Sequence, residues 1–139
     1  MRLRVLLSGL TFITASLAIA WVPLVAHAHR VNAYKPCTIT GTAGADGLLG
    51  TARADVICGL GGNDVISGAS GDDIIRGGPG NDRIQGDAGR DVMMGGPGDD
   101  ILYGYDGFHD HMNGGTGYDQ GRRNPGLDYT TQIERYLNG

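Results

Sequence analysis

Between residues 41 and 122 the apolar positions keep a fixed rhythm. Leu48, Ile57, Ile66, Ile75, Ile84, Met93 and Leu102 fall nine residues apart, and Met112 follows after ten. Two places before each stands an aspartate: Asp46, Asp55, Asp64, Asp73, Asp82, Asp91, Asp100 and, after the longer step, Asp110. Asp119 continues the series, with Gly121 where an aliphatic residue is due. An amphipathic helix repeats about every 3.6 residues and a half-buried strand every second residue, so neither writes a period of nine. Such a period marks a repeat architecture, in which each unit buries its apolar residue only by stacking on its neighbours.

Cut at the recurring glycine, the chain reads GTAGADGLL (41–49), GTARADVIC (50–58), GLGGNDVIS (59–67), GASGDDIIR (68–76), GGPGNDRIQ (77–85), GDAGRDVMM (86–94) and GGPGDDILY (95–103). A ten-residue block, GYDGFHDHMN (104–113), precedes GGTGYDQGR (114–122). Glycine always holds the first place, and holds the fourth except at Arg53. The blocks resemble the Gly-Gly-x-Gly-x-Asp-x-aliphatic-x nonapeptide of the RTX, or haemolysin-type, calcium-binding repeat. Gly78, Gly96 and Gly115 supply the second glycine, so their blocks lie nearest the ideal.

Each block divides into turn chemistry and a rung of strand. Glycine tolerates positive φ and Pro79 or Pro97 pre-sets a bend; triplets such as Val65-Ile66-Ser67 then suit a short strand with one residue pointing inward. The predicted fold is all-β, two blocks forming one coil of a parallel solenoid with each residue above the one 18 positions earlier. The resemblance implies that this solenoid is a right-handed parallel β-roll. Coils of 18 sort the aspartates into two ladders, Asp46, Asp64, Asp82, Asp100 and Asp119 in one and Asp55, Asp73, Asp91 and Asp110 in the other. Stacked strands lie about 4.8 Å apart. Two carboxylates at about 5 Å repel by about 0.8 kcal/mol in bulk water and about 3 kcal/mol at an effective dielectric of 20. A divalent cation between them converts that repulsion into coordination, and oxygen donors with flexible coordination suit Ca²⁺.

How a site is shared follows from the resemblance. One turn gives the carbonyls of its second and fourth residues with its Asp, and the turn one coil later gives those of its first and third with its own. On the clearest pair of blocks this implies Gly78, Gly80 and Asp82 with Gly95, Pro97 and Asp100 as ligands. About four to six of the seven ladder gaps are expected to fill with Ca²⁺, because Arg53, the inserted residue of 104–113 and Gly121 break the pattern towards the ends.

Composition alters this picture little. Glycine is 26 of 139 residues and aromatics are 6%, which alone would suggest a disordered linker, but a linker has no reason to hold Asp, Gly and an aliphatic residue in three fixed phases. Residues 1–28 differ in kind: Arg2 and Arg4, an uncharged apolar stretch from Val5 to Val25, then Ala26-His27-Ala28. This is the layout of a secretory signal cleaved after Ala28, with retention as a membrane anchor the alternative. Two of the eleven basic residues leave with it, so nine remain against fifteen acidic groups, a net −6. An acidic exported chain points to cations and away from nucleic acid.

The ends and the remaining motifs complete the reading. Residues 29–40 are an N-terminal cap, with Cys37 in the aspartate phase and Ile39 in the aliphatic one. Cys37 and Cys58 are the only cysteines; export permits a disulfide between them across the cap, free thiols being the alternative. Residues 123–139 are read as a single C-terminal capping strand within GLDYTTQIERY (126–136). His109-Asp110-His111 could hold zinc, and His29, if exposed as a new N-terminus, copper, but histidines on an inserted loop read first as solvated side chains. Ser67 and Ser70 have no histidine in phase, which argues against a hydrolytic triad, and Asp72-Asp73 and Asp99-Asp100 read as a turn residue plus a ligand. Mixed third and fifth places, such as Ala43, Pro79, Asn63 and Tyr118, lack the threonine rows of an ice-binding face. The expectation is a secreted calcium-binding repeat protein without enzymatic activity. Its alternative is an accessory module for a secreted hydrolase or lyase, or for a cell-surface or polysaccharide-binding partner. RTX proteins usually leave the cell by a C-terminal signal; the N-terminal signal here argues against a haemolysin-like role.

Overall fold

The computed structural model describes residues 35–137; residues 1–28, expected from the sequence to be a secretory signal, and His29 lie outside the described residues. Twelve short strands account for all the regular structure of the described residues: β1 (Ile39–Thr40), β2 (Gly47–Leu49), β3 (Val56–Cys58), β4 (Val65–Ser67), β5 (Ile74–Arg76), β6 (Arg83–Gln85), β7 (Val92–Pro97), β8 (Ile101–Gly104), β9 (His111–Thr116), β10 (Gln120–Arg123), β11 (Tyr129–Thr131) and β12 (Arg135–Tyr136). The odd strands form one six-stranded parallel sheet and the even strands the other. The chain therefore alternates between two sheets, one block per crossing, and winds a parallel β-roll.

Register confirms the 18-residue coil. Ile66 pairs with Ile84 and Ile84 with Leu102, while Ile57 pairs with Ile75 and Ile75 with Met93. The extra residue of 104–113 lengthens one coil without shifting a side chain to the wrong face, since Met93 pairs with Met112 and Leu102 with Gly121. A one-residue slip within a strand would have turned its apolar residue outward; placing the insertion in a turn avoids this.

The core between the sheets is a single file. Ile57, Ile66, Ile75, Ile84, Met93, Leu102 and Met112 are buried in it, with Ile39, Leu48 and Ile133 packed at its ends. Each is an eighth-place residue or its terminal substitute. At the N-terminal end β1 pairs with β3, and Cys37 and Cys58 are joined by a disulfide with their Cα atoms 5.9 Å apart.

The C-terminal end departs from the expected single strand. Two strands form there, β11 extending the odd sheet over β9 and β12 extending the even sheet over β10. Residues 123–131 are thus a further block in disguise, with Gly126 in the fourth place and Asp128 in the sixth. Ile133 repairs the gap left by Gly121: a Cβ built there would lie 3.1 Å from the Ile133 side chain.

The turns impose a left-handed conformation at two places of the block. The fourth place has positive φ at Gly62, Gly71, Gly80, Gly89, Gly98, Gly107, Gly117 and Gly126, and the second at Gly78, Gly96 and Gly115. Three side-chain-bearing residues are forced into it at the second place: Leu60 (φ 80°), Ala69 (φ 74°) and Asp87 (φ 64°). An L-residue there costs roughly 1–2 kcal/mol. Leu60 is 51% exposed, so its removal forfeits little burial. Leu60→Gly is expected to stabilise the roll by up to about 1 kcal/mol, the greater freedom of glycine when unfolded offsetting part of the relief. Gly78→Ala, at the same place one coil on, is expected to destabilise by about 1–3 kcal/mol, because φ is +111° and a Cβ would overlap the Leu60 backbone. Urea midpoints of both variants check the opposite signs; shifts in one direction would contradict the account.

Candidate metal-binding ladders

The sixth-place aspartates fall in the two predicted rows. Each backbone N–H donates to the Oδ1 of the aspartate one coil later: Asp46 to Asp64 (2.8 Å), Asp64 to Asp82 (2.8 Å), Asp82 to Asp100 (2.7 Å) and Asp100 to Asp119 (2.8 Å). In the second row Asp55 donates to Asp73 (2.7 Å), Asp73 to Asp91 (2.9 Å) and Asp91 to Asp110 (2.9 Å). All but Asp46 are buried. The fold holds these acids in place because each lies at the turn-to-strand junction, where its own amide already points along the stack.

Both rows extend beyond the expected set. The Asp110 N–H donates to Asp128 Oδ1 (3.1 Å), and the Asp119 N–H to a carboxylate oxygen of Glu134 (2.6 Å). Asp128 lies 18 residues beyond Asp110, so its phase was available as a signal; Glu134 lies 15 beyond Asp119 and had none.

The second carboxylate oxygen separates the ends from the middle. At Asp46 it accepts from the Thr42 N–H (2.5 Å) and hydroxyl (2.9 Å), and at Asp55 from the Thr51 N–H (2.8 Å) and hydroxyl (2.7 Å). At Asp128 it accepts from the Asn124 N–H (2.5 Å). In between, Oδ2 of Asp64, Asp73, Asp82, Asp91, Asp100, Asp110 and Asp119 is buried and has no hydrogen-bond partner. Buried polar atoms are nearly always satisfied, and a repeated orphan at one position of a repeat points to a ligand.

Backbone oxygens converge on the same intervals. The Gly78 and Gly80 N–H groups donate back to the Gly95 and Pro97 carbonyls (2.9 and 2.8 Å), so those two carbonyls face the earlier turn. The Gly78 and Gly80 carbonyls face the later one, where any Cβ on Gly96 or Gly98 would collide with them. The four carbonyls therefore lie between the turns that carry Asp82 and Asp100. No group of three or more His, Cys, Asp or Glu side chains is placed to hold a metal among the described residues; a site here must combine carboxylates with main-chain oxygen. That donor set is all oxygen, which fits a hard cation such as Ca²⁺ and not zinc or copper.

Other motifs resolve differently. Asp72 and Asp99, the outer members of the acidic pairs, accept the N–H of Arg90 (3.0 Å) and Tyr118 (2.8 Å), as turn residues. His109 Nδ1 lies 2.8 Å from the Leu127 carbonyl and His111 stacks on Tyr129 at 5.1 Å between centroids, so both histidines contact the neighbouring coil.

A model of the RTX calcium-binding nonapeptide repeat matches four overlapping stretches, residues 40–75, 49–84, 76–108 and 85–120. Stacked turns rich in carboxylate and carbonyl oxygen define a calcium-binding repeat roll. With more than half of its length matched, the chain belongs to the RTX calcium-binding repeat family, whose repeat is a structural unit that binds calcium. No curated protein matches it.

Burial raises the carboxyls of Asp73, Asp82, Asp91, Asp100, Asp110 and Asp119, and neighbouring carboxylates add to the rise. Asp73 is pushed up to about 6, and Asp91, Asp100 and Asp110 to about 7. Asp55 is instead held below its ordinary value, chiefly by the Thr51 hydroxyl. A folded carboxyl with a raised pKa binds protons that the unfolded chain has already released, so stability falls as pH rises between the two values. The metal-free roll is therefore favoured below about pH 4 and loses that advantage on approach to about pH 7. In excess chelator, the far-UV β-sheet signal is expected to be stronger at pH 5 than at pH 8; the reverse order would contradict the burial of these acids.

Proposed function

We propose that the chain is a secreted module whose roll is folded and held by calcium ions bound between successive turns. The observation that carries this reading is the pair of rows of buried, partnerless Oδ2 atoms. Five intervals have such an atom on both sides: 64–82, 82–100, 100–119, 73–91 and 91–110. These are the intervals expected to fill. In the clearest of them the ion would be held by Asp82 and Asp100 with the carbonyls of Gly78, Gly80, Gly95 and Pro97. Asp46 and Asp55 close the rows at one end, their outer oxygens satisfied by threonine.

Calcium supplies charge neutralisation and a cross-link between coils. One ion at ten times its dissociation constant stabilises by about 1.4 kcal/mol, so five contribute about 7 kcal/mol, comparable to the whole stability of a small domain. Residues 41–122 form the binding unit in this reading, residues 29–40 and 123–139 its ends, and residues 1–28 the export signal. Secretion is supported by the signal-like start and by the Cys37–Cys58 disulfide, a bond at home in oxidising compartments. Export into millimolar calcium would then couple folding to arrival outside the cell.

Far-UV circular dichroism of the processed chain tests this. At pH 8, excess chelator is expected to abolish the β-sheet signal, and millimolar calcium, but not magnesium, to restore it. A spectrum indifferent to chelator would overturn the proposal.

A further inference from the structure

Places of the repeat that obey no rule gather at one groove. Seventh- and ninth-place side chains face outward from the strands, and on the even sheet these include Arg83, Gln85, Tyr103 and Arg122. Beside them stand Asp87 and Tyr105, both at second places where the nearest-ideal blocks carry glycine, and Asp106 of the ten-residue block. Together they line a cavity of about 560 Å³, within the size range of small-ligand sites.

The charges in this groove are unevenly satisfied. Asp87 accepts from the Ser67 hydroxyl and the Gln85 amide. Asp106 accepts from the Phe108 N–H (2.8 Å) and the Gly89 N–H (3.1 Å). Neither Arg83 nor Arg122 pairs with a carboxylate among the described residues. Each guanidinium lies instead over a tyrosine ring, Arg83 at 4.6 Å from the Tyr103 centroid and Arg122 at 4.8 Å from that of Tyr105. The Arg122 Nε–H is buried without an acceptor. Contact with the rings positions each guanidinium while leaving it without a carboxylate partner, and a guanidinium matches the two oxygens of a carboxylate.

The remaining groups narrow the ligand. Asp87, Asp106 and Gln85 retain oxygen lone pairs for hydroxyl donors, and the tyrosines present surfaces apolar in body and polar at the tip. A polyphosphate needs many cationic contacts, whereas this groove has two beside two carboxylates on a chain of net charge −4. We infer that the groove binds an acidic sugar, the uronate units of an oligosaccharide, with their carboxylates on the Arg83 and Arg122 guanidinium groups and their hydroxyls on Asp87, Asp106 and Gln85.

Calorimetric titration of the calcium-loaded chain, at fixed free calcium and physiological salt, tests this with three probes: a galacturonate hexamer, a neutral galactose hexamer and inorganic sulfate. The uronate is expected to bind at least tenfold more tightly than either of the others. Arg83→Gln and Arg122→Gln are each expected to weaken it about tenfold while leaving the calcium titration unchanged. That control separates the groove from capture of uronate by bound calcium, and R83K and R122K, which keep charge but lose the guanidinium, should also weaken binding. Absence of uronate binding, equal binding of the neutral hexamer, or sulfate binding as tight as the uronate would overturn the inference. So would uronate affinity that survives unchanged in the folded double glutamine variant.

Discussion

Rows of buried carboxylates, one on each coil and stacked at the spacing of a parallel sheet, are the constraint to which the rest of the roll is adapted. Like charges at that distance repel most strongly where water is excluded. The chain nonetheless places Asp64, Asp73, Asp82, Asp91, Asp100 and Asp119 at no more than 2% exposure. The two oxygens of each acid have different tasks. Oδ1 accepts the amide of the preceding rung and fixes the stacking register. Oδ2 is left buried without a partner in the chain, and that unmet need is what the proposed calcium would satisfy.

The ends show the same constraint met by other means. Threonine at the second place supplies both a backbone amide and a hydroxyl to Asp46 and to Asp55. Asn124 supplies an amide to Asp128. Local side-chain hydrogen bonds of this kind compete with other uses of the same atoms, so the outermost acids are spent within the chain. The core follows suit. A single file of seven buried side chains is narrow, and the Cys37–Cys58 bond and Ile133 close it at opposite ends.

Much of this was legible in the sequence because a solenoid maps period directly onto position. The phase of Asp and Ile sets the two sheets, the 18-residue register and both ladders, and the ten-residue block enters as a single slip that leaves the pairing in phase. Legibility ended where phase ended. Residues 123–131 begin with Arg123 and carry Thr130 at the aliphatic place, so the extra block was read as a single strand although Asp128 kept its phase. Glu134 reaches its rung from an off-phase position that only the backbone path creates. Thr42 and Thr51 could have been recognised as end stops, since only these two blocks carry threonine at the second place, four residues before the Asp. The groove could not, because its residues meet only after three coils bring unrelated places side by side.

The direct test of the account is a count of bound ions. Native mass spectrometry of residues 29–139, equilibrated in millimolar calcium, should show saturation at about five ions, one per interval with an orphaned oxygen on each side. A chain that stays folded and carries no calcium under those conditions would contradict it, since the buried acids would then have to be neutralised by protons alone.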